Sequence, residues 1–293
     1  MDASGNFKGA GLMVVSMAAF TFNDVCIKSL AGEVPLMQAI FLRGVLTSLL
    51  IFVVARRMGA IRLDFPLRDW GLIALRSAAE IGATFCFLTA LFNMPIANVT
   101  AILQALPLTV ALAAALVFSE PLGWRRILAI AIGLFGVLLI VRPGAEGFSV
   151  YSLYALAAVG FVTVRDLSVR RLSPAVPSIS VALITAVVIA SAGGLASLSQ
   201  GWVSLVPWHG LMLAMAAFFI LGGYLASVMV MRVGEISFVA PFRYTGLIWA
   251  LLLGYLIFGD WPKPVTLLGA SIVVTTGLFT LYREAQLRRK GRI

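Results

Sequence analysis

Seven ionisable side chains lie inside stretches of the sequence that are otherwise apolar. They are Asp24, Arg43, Arg76, Glu80, Arg165, Asp166 and Arg243. A charge inside a bilayer costs about 2.5–3.5 kcal/mol on insertion scales, so such residues usually pair, bind a substrate or carry a proton. Glu80 falls near the middle of its stretch, and Arg76 precedes it by one helical turn. Two interpretations stay open for this pair: a structural salt link, or a site for a substrate amine or a proton.

Two polar residues lie close to prolines within apolar stretches. Gln104 precedes Pro107, and Arg243 follows Pro241. Proline bends a helix and frees a backbone carbonyl, and exposed backbone at membrane depth is tolerated where it lines a cavity. We therefore predict that these four residues lie on a cavity wall, where Arg243 is suited to hold a substrate carboxylate. The alternative is two packing kinks, with Arg243 extending to the cytoplasmic edge.

Asp24 and Asp166 lie closer to the ends of their stretches than to the centres. Asp24 can pair with Lys28, and Asp166 with an adjacent arginine. Arg43 is placed to face Asp24 from the neighbouring helix. The two carboxylates are interpreted either as interfacial salt links or as paired gates on opposite sides.

Several uncharged side chains are further candidates for the cavity wall. The aromatic ones suit a planar substrate, although packing against lipid or protein explains them as well. These candidates are Asn98, Phe85, Tyr224, Tyr244 and Trp249.

The elements that must position these residues are membrane-spanning helices. Hydrophobic residues make up 61% of the chain and charged residues 12%, against about 25% charged in soluble domains. Apolar runs recur at about the 20-residue length that crosses a bilayer. The predicted spans are 9–30, 36–55, 70–92, 96–118, 124–141, 150–171, 176–198, 209–231, 236–258 and 264–282.

The formal net charge of +10 comes from short clusters of Lys and Arg between these spans. The clusters fall mostly on one side, which predicts cytoplasmic amino and carboxyl termini in a multi-pass inner-membrane protein. No basic face with interleaved aromatic residues occurs, so nucleic acid is not an expected partner. The expected partners are membrane lipids.

The two halves of the chain resemble each other. Phe118-Ser119-Glu120 matches Phe258-Gly259-Asp260, and Asp24 and Lys28 match Asp166 and Arg170 at nearly the same spacing. We predict five-helix repeats at residues 1–143 and 150–283, followed by a basic cytoplasmic tail at 284–293. Because each repeat has an odd number of helices, the two must face opposite ways, as in many secondary transporters.

At this point the chain resembles the drug/metabolite transporter superfamily, specifically its EamA-type exporters. The segment from Ile96 to Pro107 resembles the fourth helix of that family, and residues 235–241 repeat it in the second half. The resemblance implies ten helices in two inverted repeats. It also implies a likeness to the YddG-type exporters of aromatic amino acids, but it carries over no catalytic residues.

The predicted function is a secondary transporter that exports small organic metabolites by alternating access around a central cavity. The favoured substrates are amino acids, aromatic ones included. A drug, a nucleotide sugar or another metabolite is the alternative within the fold. A channel or an intramembrane enzyme is the alternative from another class, but no Gly-x-Ser-x-Gly elbow, metal-ligand spacing or cofactor motif occurs. Proton coupling and the choice between monomer and homodimer are left open.

Overall fold

The computed structural model describes residues 3–59, 61–119, 123–142, 149–233 and 236–289, and no strand occurs among them. Ten stretches of this described chain are long and apolar enough to cross a membrane, which confirms the predicted number. We number them α1 (Ala3–Lys28), α2 (Leu36–Arg57), α3 (Leu67–Asn93), α4 (Ile96–Phe118), α5 (Trp124–Val141), α6 (Tyr151–Arg170), α7 (Ser178–Ser197), α8 (Pro207–Val233), α9 (Ile236–Phe258) and α10 (Pro264–Arg289).

Some helices are longer than the predicted spans. α1 begins at Ala3 rather than at residue 9, and α10 continues to Arg289 rather than ending at residue 282. Hydropathy marks only the part of a helix that lies in hydrocarbon, and a helix can continue into water. Much of the predicted tail is therefore helical. The Glu120-Pro121 turn, the Gly234-Glu235 pair and residues 290–293 lie outside the described residues.

Both helices that carry an internal proline are broken beside it. α4 consists of α4a (Ile96–Leu103) and α4b (Leu106–Phe118), and α9 contains a 3₁₀ segment (Ala240–Tyr244) before α9b (Thr245–Phe258). Pro107 has no N–H to donate, so the chain tightens there: the Ala105 amide donates to the Ile102 carbonyl at 3.1 Å. The break in α4 lies near the middle of its apolar stretch, whereas the 3₁₀ segment of α9 lies at the start of its own.

The helices pack mainly against helices of the other half of the chain. The most extensive pairs are α1 with α8, α3 with α6, α2 with α7 and α5 with α10. Replacing each helix by its counterpart five places along the chain returns the same set of pairs. Two related five-helix halves would produce this symmetry, so it supports the predicted repeats.

Two mixed four-helix bundles result from this pairing. The first bundle contains α1, α2, α8 and α9, and the second contains α3, α4, α6 and α7. The bundles meet where α2 packs on α7 and where α4 packs on α9. Each bundle therefore combines helices from both halves of the chain.

α5 and α10 form a separate pair whose backbones lie very close together. A Cβ atom placed on Gly269 would lie 2.6 Å from the Gly136 carbonyl oxygen, and one placed on Gly136 would lie 2.9 Å from the Gly269 oxygen. Such close approach is possible only with glycine at both positions, as in other tightly packed membrane helices.

An apolar cluster, which we call the closing cluster, joins the two bundles at one end. It lies at the end predicted to face the periplasm. Its members include Ile27, Leu30, Ile40, Leu88, Leu91, Ile96 and Leu213.

Lys28 adds a polar link between the bundles at the same end. Its ammonium donates to the carbonyls of Leu91 at 3.1 Å and Met94 at 2.5 Å, which lie at the carboxyl end of α3. It also lies 5.4 Å from the centroid of the Phe258 ring. A cation is favoured at a helix carboxyl terminus. The predicted pairing of Asp24 with Lys28 is therefore wrong, because these carbonyls hold the ammonium instead.

We expect Lys28→Gln to loosen the closing cluster, because the neutral amide binds the α3 carbonyls less strongly. Cys26 is 3% exposed and belongs to this cluster. In a Cys86→Ser background Cys26 is the remaining thiol, since the chain has two cysteines. A membrane-impermeant maleimide added from the periplasmic side should label it several-fold faster after Lys28→Gln. Lys263→Gln, at an exposed lysine predicted to face the same side, is the control. Equal labelling rates in all three proteins would contradict the link.

Candidate functional site

A cavity of about 470 Å³ lies at the centre of the molecule, between the two bundles. Every helix except α5 and α10 contributes a described residue to its wall. The wall combines aliphatic and aromatic side chains with charged ones. A volume of this kind is typical of sites for drug-sized organic ligands, which occupy about 300–1,000 Å³.

Most of the predicted site residues lie on this wall. They are Asp24, Arg43, Arg76, Glu80, Gln104, Pro107, Tyr224, Arg243 and Tyr244. Asn98, Phe85, Asp166, Trp249 and Pro241 do not line it.

Whether an aromatic residue of α3 lines the cavity depends on the helix face that it occupies. Phe85 is 39% exposed and contacts the edge of Tyr154, with ring centroids 6.3 Å apart, whereas Phe87 lines the cavity. Positions 80, 83, 84 and 87 follow the three- and four-residue spacing of one helix face, which excludes position 85. Counting along α3 from Glu80 would have selected Phe87 from the sequence.

Tyr244 contributes its ring to the wall but not its hydroxyl. The side chain is 6% exposed, and a Cβ atom placed on Gly277 of α10 would overlap its hydroxyl oxygen. The hydroxyl is therefore turned towards α10, where no described residue forms a hydrogen bond with it. Gly277 is needed to make room for it.

Glu80 is the centre of a charged network. Arg165 Nη1 donates to both Glu80 carboxylate oxygens, at 3.2 and 3.3 Å. The predicted partner Arg76 is farther away, at 3.9 Å, and donates to the Thr185 hydroxyl. Arg165 also pairs with Asp166 at 2.8 Å. The network thus joins α3, α6 and α7 of the second bundle. No spacing in the sequence predicts the contact between Arg165 and Glu80.

The first bundle has its own charged pair. Asn23 Nδ2 donates to Asp24 Oδ1 at 2.9 Å, and Arg43 Nη1 donates to Asn23 Oδ1 at 3.4 Å. Asn23 therefore connects the Asp24 carboxylate with the Arg43 guanidinium. Arg43 is 8% exposed and lines the cavity.

Comparison with known proteins agrees with this geometry. Residues 7–142 match the model of the EamA-like transporter family. This match lies within the first half of the chain. A solved crystal structure of 17% identity superposes with a TM-score of 0.64 over 99% of both chains, which shows a common fold.

Several named relatives align with most of the length of this chain. An S-adenosylmethionine uptake transporter of Rickettsia conorii is 26% identical and covers 94% of this chain and 93% of its own. A pseudopaline exporter of Pseudomonas aeruginosa is 24% identical, covering 90% and 93%. A riboflavin transporter of Vibrio cholerae is 27% identical, covering 79% and 78%. The ten apolar helices and these relatives thus indicate a multi-pass inner-membrane transporter and not an enzyme.

The Glu80–Arg165 pair can be tested with a double-mutant cycle. Glu80→Gln leaves Arg165 with a single carboxylate, and Arg165→Gln leaves Glu80 with the distant Arg76. We expect each single variant to lower thermal stability in detergent, and the double variant to recover part of the loss. A coupling free energy of about 0.5–3 kcal/mol is typical of residues in direct contact. Additive losses would show that the two side chains act independently. Arg56→Gln, at an exposed position on α2, is the control for a lost arginine.

Proposed function

We propose that this EamA-type transporter carries a small organic metabolite larger than a single amino acid, through the central cavity and by alternating access. The observation that supports this most directly is the cavity of about 470 Å³, to which both halves of the chain contribute. The relatives favour the same conclusion, because they are named as transporters of S-adenosylmethionine, pseudopaline and riboflavin. The sequence analysis favoured an amino acid and kept another metabolite as the alternative. These relatives support the alternative.

The wall suits a substrate with a planar part and a charged part. Phe20, Phe87 and the Tyr244 ring offer flat apolar surfaces, on which planar groups stack favourably. The charged side chains surround the same space. A molecule that combines an aromatic ring with an ionised group would contact both kinds of surface.

The charges on the wall favour an anionic group on the substrate. The carboxylates Asp24 and Glu80 have arginine neighbours in Arg43 and Arg165. Arg243 lines the cavity with its side chain exposed, and no acidic partner for it occurs in the described part of the chain. An arginine without a counter-charge is suited to a carboxylate or phosphate. Gln104, at the break in α4, adds a side-chain amide that can donate or accept a hydrogen bond.

The closing cluster and Lys28 support a cycle in which the bundles separate alternately at the two ends. The end predicted to face the periplasm is closed by this cluster. The substrate would therefore enter the cavity from the cytoplasm. The comparisons leave the direction open, since one relative is named for uptake and another for export. Export, and proton coupling through Glu80, remain predictions.

Ligand binding followed by transport tests the proposal. We expect S-adenosylmethionine, riboflavin or a compound of similar size to raise the melting temperature of the purified protein, since a ligand present at 100 times its Kd stabilises by about 2.7 kcal/mol. Phenylalanine and threonine should not do so. In proteoliposomes, uptake of the stabilising compound should be lost in Ala83→Trp, because Ala83 lines the cavity. Ala78→Trp, on an exposed face of the same helix, is the matched control. Stabilisation by amino acids alone would overturn the size argument.

The role of Arg243 can be tested with a substrate acid and its neutral amide. Wild-type protein should prefer the acid, and Arg243→Gln should bind the two about equally, because the guanidinium is the group that recognises the charge. Arg243→Lys should keep part of the preference, since an ammonium retains the charge without the planar fork. An unchanged preference in Arg243→Gln would assign the anion to another arginine.

A further inference from the structure

The Tyr224 side chain connects the two bundles at the end predicted to face the cytoplasm. Its hydroxyl donates to the backbone carbonyl of Ser178 at 3.1 Å. Tyr224 belongs to α8 in the first bundle, and Ser178 is the first residue of α7 in the second. We propose that this hydrogen bond is a gate at the cytoplasmic mouth of the central cavity and breaks whenever a substrate passes. The inference rests on the transport function proposed above and adds a residue that controls access to the cavity.

The position of the bond is that of a cavity mouth. Tyr224 lines the cavity, whereas Ser178 is exposed and begins a membrane-spanning helix. In the described chain α7 and α8 each pack against α2, and the direct contact between them is slight. The tyrosine side chain therefore spans a gap between two helices that α2 holds apart, on the route from the cavity to water.

The backbone beside Tyr224 is fixed to α1, which is in the same bundle. Ser16 Oγ donates to the carbonyl oxygen of Gly223 at 2.8 Å. A Cβ atom placed on Gly223 would lie 2.9 Å from the Phe20 ring, so α1 and α8 approach each other closely at this point. The donor of the gate bond therefore moves with the first bundle.

The amino end of α7 is held by α3, which is in the second bundle. The Ser173 amide, in the connection before α7, donates to Asp69 Oδ1 of α3 at 3.2 Å, and Asp69 is buried. Farther along α7, the Thr185 hydroxyl accepts a hydrogen bond from Arg76 of α3. The acceptor of the gate bond therefore moves with the second bundle. Because its two ends are fixed to different bundles, the bond cannot persist when the bundles separate at this end.

The two ends of the cavity are closed by contacts of different strength. The closing cluster and the two hydrogen bonds of Lys28 hold the end predicted to face the periplasm. At the other end, water can replace both partners of the Tyr224 bond, so breaking that bond costs little net free energy. The cytoplasmic mouth is therefore expected to open more readily than the opposite end.

The gate is specific to the second of the two predicted repeats. Gly82 and Gly223 lie 141 positions apart, and each makes room for a phenylalanine ring of the helix that packs on it. By the same spacing, Tyr224 corresponds to Ala83, which also lines the cavity but has no hydroxyl. The inverted arrangement of the repeats thus places a tyrosine towards one mouth and an alanine towards the other.

Thiol labelling tests the gate without any substrate. In a Cys26→Ser/Cys86→Ser background, Ala186→Cys places the sole thiol on the cavity wall. A membrane-impermeant maleimide is added to inverted vesicles, whose outer surface is cytoplasmic. Tyr224→Phe should raise the labelling rate about two- to tenfold, because it keeps the ring and removes one net hydrogen bond. Tyr282→Phe, at an exposed tyrosine on α10, should leave the rate unchanged.

Labelling of the same thiol in right-side-out vesicles separates a gate from a general loosening of the fold. Tyr224→Phe should not raise the rate from this side, whereas Lys28→Gln should. Equal rates with and without the Tyr224 hydroxyl in inverted vesicles would overturn the proposal. A rate that rises from the periplasmic side in Tyr224→Phe, or an equal rise in Tyr282→Phe, would do the same. Failure of the ligand and transport tests would overturn the proposed function but would not alter these labelling rates.

Discussion

Two carboxylates inside the membrane are each held by an arginine of another helix, and this arrangement determines much of the architecture. Glu80 on α3 is held by Arg165 on α6, and Asp24 on α1 is held through Asn23 by Arg43 on α2. Separating a buried pair exposes an uncompensated charge to a low dielectric, which is strongly unfavourable. Each of these pairs therefore keeps two helices together during any movement of the protein.

The two pairs lie within the mixed bundles, whereas the contact between the bundles is largely apolar. The closing cluster is made of aliphatic side chains, and Lys28 binds backbone carbonyls rather than a carboxylate. Apolar surfaces of this kind can separate and expose side chains to a substrate or to water without leaving a charge unpaired.

The sequence predicted the helices well because hydropathy reports contact with lipid. It predicted the breaks in α4 and α9 because proline lacks an N–H wherever it occurs. It did not predict that Arg165 contacts Glu80, since these residues are 85 positions apart and no spacing rule links them. Lys28 was assigned to Asp24 by helical spacing, which cannot anticipate the free carbonyls at the end of α3. The size of the cavity depends on all eight surrounding helices at once, so a sequence pattern cannot supply it.

α5 and α10 are the fifth helices of the two predicted repeats, and they meet each other directly through Gly136 and Gly269. Contact between equivalent surfaces is the defining property of a twofold homodimer interface. If a five-helix ancestor formed such a dimer, the contact already existed before two copies were fused into one gene. The fusion then required only a connecting segment. The same geometry constrains later substitutions at Gly136 and Gly269. A side chain added at either glycine would meet the carbonyl of the other, so neither position can change without affecting the other.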